Sequence, residues 1–339
     1  MTKSKTIQAP GTTLESEATS ERKHKKINKT QITKYLPYIT LFSLVVLISL
    51  YDPAFIRIEN LLQTAQDIST LFIMALGMTF VIYIAGIDLS SQSVASMTTV
   101  IVALLLPSLG VGAALAAVLI GAFYGMISGI VHTRFKIASF IATLAVGGIA
   151  YATGQVVSGQ RSIYMPADLR EQSLGWLVGN TAGIPHEILV ALALLLIALF
   201  IERRTVFGRS LKAVGSGELA AVASGLKVTK IKIMAFALSG AFAAIAGVML
   251  ATRLSGGSPT MADQFLLPAI VAVLVGGTPL TGGIGGVLNT LVGALIVAVI
   301  RTSMTYLEVP AEAQQIFFGI VLISAIALTI DRSKVKVVK

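Results

Sequence analysis

The chain contains no cysteine among its 339 residues. That excludes disulfide staples, thiolate nucleophiles and cysteine metal sites together. Charge is scarce too: 12% of the residues are charged, about half the share found in soluble domains, which is too little to coat a water-facing surface. The three histidines, His24, His132 and His186, are scattered without metal-ligand spacing. Catalytic signatures are missing as well. There is no GxxxxGK[ST] phosphate loop, no GxSxG elbow and no HExxH. GSGELA, from Gly215, has two glycines of a GxGxxG start but lacks the third and follows no strand. The chain is therefore not its own ATPase, and nothing in it supports catalysis or calls for a cofactor or metal.

Apolar sequence fills the chain instead. Hydrophobic residues make up 55% of it, in runs near 35–51, 61–85, 89–107, 109–132, 137–159, 187–202, 230–251, 263–281, 285–303 and 312–330. A helix of about 20 such residues crosses a hydrocarbon layer of about 30 Å. The expectation is an all-α, polytopic helical membrane protein with about ten transmembrane helices. The first run lacks an Ala-x-Ala end, so it reads as an uncleaved span rather than a signal peptide. The stretch at 263–281 is weak enough to be re-entrant.

The net charge of +10 comes from 26 Lys and Arg against 16 Asp and Glu, and its distribution sets the orientation. Eight basic residues precede Tyr35, Arg134 and Lys136 form a pair, seven lie between Arg203 and Lys232, and four follow Asp331. Basic loops stay on the cytoplasmic side and attract anionic membrane lipid. Without base-stacking aromatics among these cations, nucleic acid is not an expected partner. Residues 1–34 read as a disordered basic cytoplasmic tail, 35–331 as a transmembrane domain, and 332–339 as a second basic cytoplasmic tail. An even number of spans places both termini inside.

Between two apolar runs lies VGSGELAAVASGL, Val214–Leu226, flanked by Arg203, Arg204, Arg209 and Lys212 on one side and Lys227, Lys230 and Lys232 on the other. A short cytoplasmic helix there, near 213–227, reads as a docking knob for a soluble partner that supplies energy. The longest exterior loop, about 160–186, carries the lone Trp176 and reads as an interfacial helix with an aromatic anchor, or part of a landing surface for an external protein.

Ionisable groups are costly in hydrocarbon, so each is informative. Asp67 is expected at the outer interface. Asp88 opens a span in GIDLSS as an N-cap accepting from amides near Ser90 and Ser91, or faces the passage with Gln92. Asp263 and Gln264 are expected to cap the eighth span, and Arg301 to snorkel to the outer boundary. The glycines at 276–277, 282–283 and 285–286, with Pro268 and Pro279 nearby, forbid an uninterrupted lipid-facing helix. A faint echo links AGIDLSSQSVASM (Ala85–Met97) with GGTPLTGGIGGVL (Gly276–Leu288), and transporter sites lie near such broken helices. Asp88, Gln92, Thr278, Thr281 and Asn289 are the polar candidates for lining a passage for a neutral, polar solute.

Several stretches together resemble the permease subunit of ribose-type sugar ABC importers, within the ribose/branched-chain amino acid permease superfamily. They are ALGMTFVIYIAGIDLS (75–90), FIATLAV (140–146), GSGELAAVASGLKVTKIK (215–232), ALSGAFAAIAGVMLATRLSGGSPT (237–260) and AIVAVLVGGTPLTGG (269–283). The resemblance covers about 36–331. It implies a type-II-like importer fold in the bacterial plasma (inner) membrane, and a second permease half that is a copy or a relative. It also implies a cytoplasmic ATPase subunit carrying ATP and magnesium, and an extracytoplasmic solute-binding protein. The segment equivalent to 215–225 would be the coupling helix, with Gly215, Gly217, Glu218, Ala221 and Gly225 at the ATPase contact and Glu218 as polar anchor. Two departures, GIDLSSQS for GIDLSVGS and GGTPLTGG for GGTSLSGG, fall where the passage is expected and make ribose itself unsafe as the solute. A monosaccharide or similar compound is the leading solute; an ABC permease for an amino acid or nucleoside, and an ion-coupled carrier using Asp88, are the alternatives.

Overall fold

Helix α2, Ile58–Tyr83, is the axis on which the other helices assemble. Its sequence carries no charge after Asp67, and every residue from Ile68 to Tyr83 is buried. A helix apolar on all sides must be enclosed by protein, and α2 is packed by α10 (Val228–Arg253), α12 (Val287–Tyr306), α11 (Leu266–Val275) and α7 (His186–Arg204). At 1.5 Å per residue it is about 39 Å long, enough to cross the hydrocarbon layer. The computed structural model describes residues 35–329; the two tails named above, 1–34 and 332–339, lie outside the described residues.

Among the described residues, six helices are long and apolar enough to cross a membrane: α2, α3 (Ser91–Leu109), α4 (Gly112–Arg134), α5 (Ser139–Ser158), α10 and α12. Three shorter apolar helices join them: α1 (Tyr35–Tyr51), the stretch Asp263–Val275 that contains α11, and Glu312–Ile326 within α13 (Ala311–Thr329). α7 has the length but carries Glu187, Glu202, Arg203 and Arg204 at its ends. These elements fall within a few residues of the apolar runs read from the sequence. The exception is 263–281, where the helix has ten residues, or about 15 Å, and glycine-rich irregular backbone takes over.

Small residues set the tightest packing. Helices α4 and α10 run antiparallel, with Gly121, Gly125 and Gly129 facing Gly240, Phe236 and Ile233. A Cβ on Gly125 would collide with the Phe236 carbonyl oxygen. Without a hydrophobic force between helices in lipid, such close backbone approach is what holds a pair together.

The chain leaves helical geometry in two places inside the bundle, 84–90 and 276–286, and outside in the 159–185 connection. That outer connection holds β1 (Ile163–Tyr164), α6 (Ala167–Leu174), β2 (Asn180–Thr181) and β3 (Ile184–Pro185). β1 pairs antiparallel with β4 (Gly256–Gly257), and β2 with β3. Helix α6 lies within the connection where an interfacial helix was expected, and Trp176 beside it is exposed. On the opposite side, α7 leads into α8 (Val206–Ser216) and α9 (Glu218–Ala223) before α10 begins.

Candidate functional site

The two interior breaks lie against each other. The Gly283 amide donates to the Tyr83 carbonyl at 2.9 Å, and a Cβ on Gly282 would stand 2.6 Å from the Ala85 nitrogen. Gly283 has φ +77, a left-handed conformation that glycine adopts without steric cost. The stretches that echoed each other in sequence each begin in a non-helical segment and run into a helix, and the two non-helical segments lie side by side.

Irregular backbone in a membrane must find partners within the protein, and the 84–90 break finds them on α5. The amides of Ile87 and Leu89 donate to Ser139 Oγ and Thr143 Oγ1, each at 3.0 Å. Thr143 returns a bond to the Ile87 carbonyl at 3.3 Å. Asp88 is buried at 3% exposure. Its Oδ1 accepts from the Ser90 amide at 2.9 Å and the Ser90 hydroxyl at 2.6 Å, and its Oδ2 accepts from Ser239 Oγ at 2.7 Å. The expected acceptance near Ser90 is present, but Ser90, not Asp88, is the capping position of α3. Asp88 braces the break to α10.

The remaining passage candidates do not converge. Gln92 is half-buried two residues into α3, Thr278 is fully buried and Thr281 is exposed. Thr278 Oγ1 accepts from the Gly286 amide at 3.4 Å. Asn289, half-buried, lines a cavity of about 510 Å³ with Glu202, Arg203, Arg209 and Lys212. The expected caps at Asp263 and Gln264 are not formed. Asp263 begins a single 3₁₀ turn, and α11 has no side-chain cap.

A polar group with as many partners as Asp88 was not singled out from the sequence. Glu202 ends α7, where the helix dipole disfavours an acid, yet it is only 7% exposed. Its Oε1 accepts from Tyr83 Oη at 3.0 Å and Lys212 Nζ at 2.6 Å, and its Oε2 accepts from the Val287 amide at 3.1 Å. Lys212 also donates to the Gly285 carbonyl at 3.0 Å and stands 5.0 Å above the Tyr83 ring.

A projecting foot is built from α8 and α9, joined at Gly217. Glu218 pairs with Lys232 at 2.7 Å, so it ties α9 to α10. Two of the expected ATPase-contact residues face the other way. Ala221 is buried, and a Cβ on Gly215 would collide with the Tyr83 carbonyl and the Gly283 amide. The outward face belongs to Leu219, 88% exposed, and Val222, 56% exposed, with Gly225 open beyond them. Residues three apart share a helical face, whereas Ala221 lies about 200° round from Leu219. The glycine content of the motif drew attention away from this apolar pair.

At the opposite end, a cavity of about 490 Å³ opens between the outer halves of α2, α10 and α12. Asn60, Gln63, Asp67, Arg253, Arg301 and Tyr306 are among its lining residues. Asp67 pairs with Arg253, which also approaches the buried Glu187 at 3.5 Å. Arg301, expected to snorkel to the outer boundary, faces this cavity with its guanidinium 5.6 Å from the Phe265 ring.

Residues 60–326 match the family described as branched-chain amino acid transport system / permease component. The ribose import permease protein of Haemophilus influenzae is 37% identical over 295 residues, covering 85% of this chain and 90% of the relative. That of Bacillus subtilis is 35% identical, covering 88% and 92%. The L-arabinose transport system permease protein of Escherichia coli K12 is 32% identical, covering 85% and 87%. No solved structure matches the chain. With buried central helices, hydrogen-bonded interior breaks and a match across most of its length, this multi-pass membrane protein belongs to the family of branched-chain amino acid transport system permease components.

Proposed function

We propose that this chain is the membrane-spanning half of an ATP-driven sugar importer of the ribose type. The relatives named for ribose and L-arabinose import support a monosaccharide as the solute. α1–α5, α7, α10, α12, α13 and the short α11 completed by the glycine break at 276–286 are read as ten crossings of a type-II-like importer, with both termini in the cytoplasm. Two such halves, identical or related, enclose the passage, and an external solute-binding protein delivers the sugar. ATP and magnesium sit on a separate ATPase subunit. The polar outer cavity around Asp67 and Arg301 fits a water-filled mouth on the delivery side.

The observation that carries the reading is the foot. Leu219 and Val222 project from a short helix in a basic connection, an exposed apolar pair suited to contact with a soluble partner. Asp88, sealed by Ser90 and Ser239, gives an ion-coupled carrier little support. Leu219→Glu, alone and with Val222→Glu, tests the proposal. The variants are expected to reach the membrane normally but to lose co-purification with the ATPase and sugar uptake. Unchanged ATPase capture and unchanged uptake contradict it.

A further inference from the structure

The glycine break at 276–286 has no hydrogen-bond ladder of its own, so its position is set by the groups that grip it. Lys212 holds the Gly285 carbonyl, Glu202 the Val287 amide and the Tyr83 carbonyl the Gly283 amide. Gly215 packs directly on the last of these. Lys212 and Gly215 belong to α8, which continues into α9 through the single residue Gly217. Tyr83 is the last residue of α2, so the same cluster also holds the end of the central helix.

A buried ion pair is a weak source of stability compared with apolar packing but a good device for fixing one arrangement over another. From these contacts we infer that Glu202, Lys212 and Tyr83 form the joint that carries displacement of the α8–α9 foot to the glycine break and the start of α12. α8 and the break move as one body, and the three side chains act as positioning residues. The inference rests on the reading of α9 as the ATPase contact.

The test uses proteoliposomes containing the permease, its ATPase and the external binding protein. Glu202→Gln keeps the shape of the side chain and an acceptor but removes the charge that holds Lys212. ATPase capture and hydrolysis are expected to persist, while sugar transported per ATP falls roughly tenfold, within the range by which single changes alter coupling networks. Lys212→Met should behave alike and Lys212→Arg should stay near wild type. Wild-type sugar per ATP in Glu202→Gln overturns the joint. Failure of the wild-type chain to capture any ATPase overturns the proposed function, and the joint with it.

Should Glu202→Gln not accumulate in the membrane, a bridge decides the matter. The chain has no cysteine, and Ser216 and Ile284 are both exposed beside the joint. Ser216→Cys with Ile284→Cys, linked by a short thiol-reactive reagent, should retain uptake if foot and break move together. Loss of uptake only on linking shows that they slide past each other and overturns the inference.

Discussion

Ser239, midway along α10, donates its hydroxyl to Asp88 at 2.7 Å, so a carboxylate from the first interior break is fastened to the helix on which α2 and α4 also pack. Gly77 of α2 lies directly against the same serine backbone. The carboxylate is thus held where three helices meet. Ser239→Ala leaves Asp88 Oδ2 without this partner, and a buried polar group so stranded costs about 1–3 kcal/mol. A lower unfolding midpoint in detergent is expected, and an unchanged midpoint argues against the brace.

The α4–α10 contact gives a paired prediction. Gly125→Ala pushes a methyl into the Phe236 carbonyl, an overpacking error that costs about 1–3 kcal/mol. Gly148, on α5, has open space where a Cβ would go, so Gly148→Ala should be neutral or gain up to about 1 kcal/mol from helix propensity. Thermal unfolding of both purified variants checks the contrast. Equal effects would mean that the glycine stripe does not set the helix spacing.

Arg253 stands between two acids at the outer end of α10. Arg253→Met leaves Glu187, whose side chain is 1% exposed, as a buried charge without its cation. Breaking a buried pair from one side costs about 3–5 kcal/mol. Adding Glu187→Leu should recover most of that loss, since an apolar replacement removes the stranded charge as well. A double-mutant cycle in unfolding free energy reads this coupling, and simple additivity of the two changes speaks against it.

The parts legible in the sequence were those with local causes. Uncharged stretches located α1 to α5, α7, α10, α12 and α13 within a few residues, because burial in lipid or protein needs a continuous apolar run. Gly282, Gly283 and the GIDLSS segment marked the breaks, because an unbroken helix cannot contain them comfortably. What stayed hidden depended on partners far along the chain. Glu202 sat at the end of the apolar run 187–202, beside Arg203 and Arg204, and gave no local sign of its partners; its burial arises only when α8 folds back over the end of α2. Arg301 gave no sign of the cavity shared with Asp67 and Arg253, since three separate helices build it. On the foot, Gly215 and Ala221 were picked for their small size, but that size serves packing inward, and Leu219 carries the outward face.

The central claim is that energy enters this protein from a separate ATPase through α9. The most direct measurement is uptake of labelled ribose and L-arabinose, against a concentration gradient, into proteoliposomes holding the chain with its ATPase and binding protein. The account predicts accumulation of a monosaccharide that requires ATP and all three proteins, and that stops when Leu219→Glu is introduced. Accumulation by the chain alone, driven by a proton gradient and indifferent to Leu219→Glu, would contradict it.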